Sequence, residues 1–192
     1  MITNGGMRMK SIEEKILYKG KWIALKETAY TAKNGEEIRW ESIERTNTNK
    51  TAIIIAKLVP SNRYVFIKQY RPAINNYILG FPAGLIEGES LEEEALRELK
   101  EETGYFGTVK SISPILYSNA ALLADTVRLV TIEVDENLKE NKNPVQHLEA
   151  EEEIEVILVS KSNVKDFLIE EQKNGTAVGV GPWYVFCGID CF

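Results

Sequence analysis

The chain of 192 residues is poor in the side chains that anchor most redox and transition-metal sites: it has one histidine, His147, and two cysteines, Cys187 and Cys191. A thiol metal site built on that pair would need further ligands, so the cysteines read as reduced thiols and His147 as a surface residue in a polar stretch. Long apolar runs are missing as well. None approaches the ~20 residues of a membrane span, and the first ten residues, MITNGGMRMK, lack the apolar core of a secretory signal. The expected compartment is therefore a reduced cytoplasm. Basic residues are in deficit, 23 Lys and Arg against 29 Asp and Glu, for a net charge of −6. That balance argues against a nonspecific nucleic-acid or membrane binder, since both need basic surface. Neither an internal repeat nor an interdomain linker is visible.

What the chain does have is acid, concentrated in one place. Between Glu87 and Glu102 lie eight carboxylates and two basic residues, Arg97 and Lys100, so this segment alone carries the net negative charge of the whole protein. Ser90 followed three residues later by Glu93 is a capping-box signal and predicts a helix from about Leu91. Gly104 suits its C-terminal stop. At about 100° per residue, Leu91, Ala95, Leu96 and Leu99 form an apolar arc, and Glu92 and Glu93 point away from it. Glu98 sits at the edge of the arc and Glu102 falls inside it. Like charges four apart repel, and partial burial adds to the cost. A divalent cation would remove both penalties, and hard carboxylate oxygens suit magnesium or manganese. An ordinary glutamate-rich helix would simply be solvated; the residues around this one decide against that reading.

Arg97-Glu98-Leu99-Lys100-Glu101-Glu102-Thr103-Gly104-Tyr105 resembles the core of the Nudix box, with Glu89 at the place of its earlier glutamate. The preceding Phe81-Pro82-Ala83-Gly84-Leu85-Ile86 resembles the lead-in to that box in ADP-ribose pyrophosphatases. One departure is that Gly84 and Glu89 are separated by four residues where the box has five. The resemblance implies that Glu98, Glu102 and the Ala83 carbonyl bind the metal, with Glu101 completing the site directly or through water. Arg97 would orient the helix carboxylates.

The rest of the chain reads as follows. Ser11 to Tyr18 is a first strand. Trp22–Ala32 and Glu36–Glu44 flank Asn34-Gly35, a two-residue hairpin signal with positive φ expected at both positions. An N-terminal hairpin is a poor place for two deep-core tryptophans, and Trp22 and Trp40 read as exposed aromatics suited to an interface or to base stacking. Gly20-Lys21-Trp22 and Trp40-Glu41-Ser42 with Arg45-Thr46 are similar to the N-terminal region of the ADP-ribose pyrophosphatases. The resemblance implies a purine clamped by one tryptophan from each subunit of a homodimer, with Glu41 and Arg45 in the substrate site. Thr51–Val59 and Tyr64–Tyr70 are strands. Gln69-Tyr70-Arg71-Pro72 again resembles the family, whose arginine at the Arg71 position contacts substrate phosphates; its planar fork suits phosphate oxygens. Tyr77–Phe81 is a short strand, Thr108–Tyr117 is extended, and Thr126–Val134 is an alternating strand. The relatives' proline-glycine marker is replaced by Asn119-Ala120, which leaves the terminal sugar of the substrate open. Asn137–His147 is polar and expected to be mobile. Before the strand Ile154–Val159, the resemblance implies a glutamate acting as general base: Glu152 by alignment of Ile154-Glu155-Val156, with Glu151 and Glu153 as neighbours still open. Asn163–Asn174 is an amphipathic helix with Val164, Phe167 and Leu168 inward, stopped by Gly175. A last helix should start late, near Pro182.

Strands alternating with two or three helices imply an α/β fold of mixed sheet, which the resemblance sharpens to the Nudix α/β/α sandwich with an N-terminal β-hairpin extension. The expected organisation is a disordered stretch over residues 1–10, a strand and hairpin over 11–46 for dimerisation and purine clamping, and a catalytic domain over 47–192. The implied activity is magnesium-dependent hydrolysis of the diphosphate of ADP-ribose to AMP and ribose 5-phosphate, with manganese as a possible substitute. Two alternatives stay open: hydrolysis of another nucleoside diphosphate sugar such as GDP-mannose, and a noncatalytic nucleotide-sugar sensor. The intact set of box carboxylates argues against the sensor.

Overall fold

The computed structural model describes residues 11–150 and 152–188; the stretch 1–10, Glu151 and Cys191 lie outside the described residues. The chain divides into two compact units. One takes the described residues through Lys50 together with Leu116–Val127, and the other takes Thr51–Ile115 and the chain from Arg128 onward.

The first unit is an antiparallel sheet of β1 (Ser11–Lys19), β2 (Ile23–Thr31) and β3 (Glu37–Arg45), in that order. Charged cross-strand contacts tie it together, with Lys26 to Glu44 at 2.7 Å and Arg39 to Glu27 at 2.7 Å. Its hairpin turn corrects the expected two-residue form. Gly35 alone has a positive φ, of 87°, and Asn34 does not share it. Gly35 N–H donates to Ala32 O at 2.9 Å, and Ala32 N–H donates to Glu36 O at 2.8 Å, closing a three-residue loop. The longer loop assigns the left-handed position to the residue without a Cβ and spares Asn34 that conformation. Leu116–Val127 joins this unit through Ile43 N–H, which donates to Leu122 O at 2.8 Å.

The second unit is built on a mixed sheet of β4 (Lys50–Val59), β5 (Arg63–Arg71), β6 (Asn76–Gly80), β7 (Ala83–Leu85), β8 (Thr108–Ile112), β9 (Thr126–Asp135), β10 (Ile154–Ser160) and β11 (Ala177–Val178). The order is β11-β6-β5-β4-β9-β8, with β10 paired to β5 and β7 to β4; β11 runs parallel to β6. Alternation along β4 divides the core in two, because successive side chains of a strand face opposite sides. Ala52, Ile54, Ala56 and Leu58 pack with Val130, Ile132 and Val134 against Ala95 and Leu99 of α1 (Leu91–Thr103). On the other face Ile53, Ile55 and Phe66 meet Val164, Phe167 and Leu168 of α2 (Val164–Lys173) and Trp183 and Phe186 of α3 (Val180–Phe186). Helices on both faces of one mixed sheet make this unit an α/β/α sandwich. The last helix begins at Val180, two residues ahead of Pro182, which sits in its first turn where a proline N–H is not needed.

Candidate active site

The helix α1 starts and stops where its cap residues require. Ser90 Oγ accepts from Glu93 N–H at 3.3 Å, and Gly104, with φ of 76°, ends the last turn. Glu92 and Glu93 are exposed, while Glu102 is 4% exposed. Burial pushes the Glu102 carboxyl up to about 8; the Ala83 N–H, donating to its Oε2 at 2.9 Å, opposes this, and the charges of Glu98 and Glu152 push the same way. Arg71 pulls it back down. Glu98 is raised too, first by burial, against the opposing Arg97, with Glu101 and Glu152 adding to the rise. Three of the expected residues, Glu98, Glu152 and Arg71, thus lie within electrostatic reach of a fourth, Glu102.

Glycine at position 84 makes room for this arrangement. A Cβ there would lie 2.0 Å from the carboxyl carbon of Glu98, so the Glu98 side chain can lie over β7 only because residue 84 has no side chain. Arg97 holds the outer edge. Its guanidinium donates to Glu94 at 2.8 Å, to Glu98 at 2.6 Å and to Glu101 at 2.5 Å. Glu94 was not singled out from the sequence, although its i−3 spacing from Arg97 was a legible signal.

Other expected residues are not gathered into this cluster. The Glu101 carboxylate is spent on Arg97, and no group of three His, Cys, Asp or Glu side chains set to hold a metal ion occurs among the described residues. Arg71, by contrast, acts on Glu102 from an exposed position at the end of β5. Trp22, Trp40, Glu41 and Arg45 belong to the first unit. Trp22 is 62% exposed with the Lys21 ammonium 4.3 Å from its ring centroid, and Trp40 is 47% exposed. The Trp40 indole N–H donates to Ala121 O at 2.8 Å. Glu41 is exposed on β3, and Arg45 Nε donates to Asp125 Oδ2 at 3.0 Å.

The segment expected to be mobile is tied down. Asn141 accepts from Phe106 N–H at 2.8 Å and donates to Phe106 O and Asp135 O, both at 2.9 Å. His147 N–H donates to Glu101 O at 2.8 Å, and Gln146 Nε2 donates to Glu102 O at 2.6 Å and to Ile154 O at 3.0 Å. Glu152 sits in a turn in which its carboxylate accepts from Glu149 N–H at 3.0 Å. Its neighbour Glu153 accepts from the Tyr77 hydroxyl at 2.7 Å.

The profile of the NUDIX domain matches residues 48–176. The chain belongs to the Nudix hydrolase family. An ADP-ribose pyrophosphatase of Saccharomyces cerevisiae is 35% identical over 164 residues, covering 81% of this chain and 71% of the relative. An ADP-sugar pyrophosphatase of Mus musculus is 33% identical, covering 79% and 73%. In three dimensions, a crystal structure of an ADP compounds hydrolase superposes with a TM-score of 0.65 at 21% identity, over 84% of this chain and 83% of that one, and shares the fold. Nudix hydrolases generally need a divalent metal, and the donor set fits one. Glu98 and Glu102 stand a helical turn apart, both with raised pKa and Glu102 nearly sealed from water; they are hard oxygen donors of the kind such an ion takes, although Glu98 is paired with Arg97 at 2.6 Å.

Proposed function

We propose that the protein hydrolyses the diphosphate bond of ADP-ribose to AMP and ribose 5-phosphate with magnesium as the metal. The observation that carries this reading is the pair of carboxylates a helical turn apart, half-buried Glu98 beneath a glycine that leaves space for it and buried Glu102. The names of the yeast and mouse relatives support the substrate class. Glu98, Glu102 and the Ala83 carbonyl would hold the ion, with Glu101 directly or through water after release from Arg97. Bound there, magnesium would neutralise the diphosphate and polarise the phosphorus under attack. Arg71 pairs its planar guanidinium with phosphate oxygens. Glu152 accepts the proton of the attacking water as the P–O bond to the leaving phosphate breaks. Arg97 acts at one remove, orienting Glu94, Glu98 and Glu101.

The purine is held between Trp22 of one copy and Trp40 of its partner in a homodimer, with Glu41 and Arg45 beside it; both tryptophans are exposed in the single chain. The cytoplasm is the compartment that the composition favours. A second substrate, GDP-mannose or another nucleoside diphosphate sugar, is favoured by one feature, the Asn119-Ala120 that replaces the relatives' proline-glycine.

A panel of nucleoside diphosphate sugars with magnesium, products resolved by mass, tests the reading. AMP and ribose 5-phosphate formed with the highest kcat/KM support it. A preference for GDP-mannose moves the substrate, and no cleavage of any member leaves the sensor.

A further inference from the structure

The C-terminal end of α1 carries two of the candidate metal ligands, Glu101 and Glu102, and like every helix end it leaves its last carbonyls without partners inside the helix. Lys100 O is taken by the Gly104 N–H at 2.8 Å. The next two are taken by a segment more than forty residues on. Glu101 O accepts from His147 N–H at 2.8 Å, and Glu102 O accepts from the Gln146 side chain at 2.6 Å. Close contact here is possible because position 104 is glycine; a Cβ on it would lie 2.3 Å from the Val145 nitrogen.

The Gln146 amide does more than cap. Its nitrogen has two hydrogens, and the second goes to Ile154 O at 3.0 Å. Ile154 opens β10, directly after the loop that carries Glu152 and Glu153. One primary amide therefore joins the backbone of a candidate metal ligand to the root of the loop that bears the candidate base. Both partners are carbonyl oxygens, so only the donor end of the amide can serve.

We propose that Gln146 is a positioning residue that fixes the Glu152 loop against the ligand-bearing end of α1 and so sets the distance between base and metal. This rests on the reading of Glu152 as the base. Both Gln146 amide hydrogens are engaged by backbone carbonyls, so it acts through the loop and not on the reacting atoms. Removing its donors breaks the bridge between the end of α1 and the start of β10, and a small misplacement of a catalytic group lowers turnover steeply. Gln146→Ala should lower kcat about 10-fold or more while the Michaelis constant changes about 2-fold or less, since substrate binding groups lie elsewhere. Gln146→Glu sets a carboxylate against two carbonyls and a helix C-terminus, and should be worse. Gln146→Lys restores donors with no acceptor and should recover much of the lost turnover.

A double-mutant cycle with Glu152→Gln separates positioning from general structural damage. If Gln146 works through Glu152, Gln146→Ala costs activity in the wild-type background and almost nothing further in Glu152→Gln. Losses that multiply, or a Gln146→Ala variant with normal kcat, would overturn the proposal while leaving the base in place. Near-normal turnover of Glu152→Gln alone would overturn the assignment of the base and this proposal with it. Should Gln146→Ala fail to fold, the cycle run with Gln146→Glu and Gln146→Lys decides: equal activity of these two contradicts a role for the donors.

Discussion

Glu102 is a carboxylate buried on the inner side of α1. Its pKa of about 8 lies far above the ordinary 4.5, chiefly because burial penalises the charged form. Without metal, this group's contribution to stability is fully present below pH 4.5, where it is protonated whether the chain is folded or not. It is lost as pH rises through 8, because the unfolded chain releases the proton at no cost. Glu102→Gln removes the penalty while keeping the shape and an acceptor for the Ala83 N–H. At about 1.4 kcal/mol per pKa unit, the metal-free variant should exceed wild type in stability by on the order of a few kcal/mol at pH 8.5, and by little at pH 4.5. Thermal unfolding in chelator at the two pH values measures this, and a variant less stable than wild type at pH 8.5 contradicts it. The position was legible from the helical wheel alone. Gln146 was not: its partners, Glu102 and Ile154, lie 44 and eight residues away, and hydrophobic periodicity says nothing about amide donors in a polar stretch.

At the scale of elements, the position of the Glu98 carboxylate between β7 and α1 depends on Gly84. A methyl group there meets the far end of Glu98, a side chain that can swing aside, so the helix itself need not move. Gly84→Ala should therefore lose turnover by at least 10-fold through displacement of the carboxylate, with a loss of stability of no more than about 1–3 kcal/mol, the range for modest overpacking. Magnesium affinity and thermal unfolding, measured together, separate the two effects. Both ends of α1 were readable, from Ser90 and Gly104, because caps are local chemistry. The hairpin turn was misread because Asn34-Gly35 is compatible with a two- or a three-residue loop, and only the pairing of Thr31 with Glu37 selects between them. The segment 137–147 was read as free for a related reason: Asn141 hides its anchors, Phe106 and Asp135, behind the fold.

For the whole molecule, the sandwich followed from the alternation of strands and helices, with apolar residues of β4 directed to both faces. The inclusion of Leu116–Val127 in the N-terminal unit had no signal in the sequence, since its link to β3 is made by backbone groups such as Ile43 N–H and Leu122 O. Trp22, Ile23, Tyr18 and Ile16 are exposed on that unit, and exposed apolar side chains brought together mark interaction surfaces. Light scattering should give a homodimer. Trp40→Ala should raise the Michaelis constant for ADP-ribose more than it lowers kcat, by the equivalent of ~1–3 kcal/mol for a lost aromatic stack. A monomer, or an unchanged Michaelis constant, contradicts the clamp.

The central claim is that Glu98 and Glu102 hold the ion that makes diphosphate cleavage possible. Its most direct test is the magnesium-dependent turnover of ADP-ribose by Glu98→Gln, beside Glu92→Gln on the solvated face of the same helix. The account predicts a loss of orders of magnitude for Glu98→Gln in a folded protein and near-normal turnover for Glu92→Gln. Near-normal magnesium-dependent turnover of Glu98→Gln would contradict it.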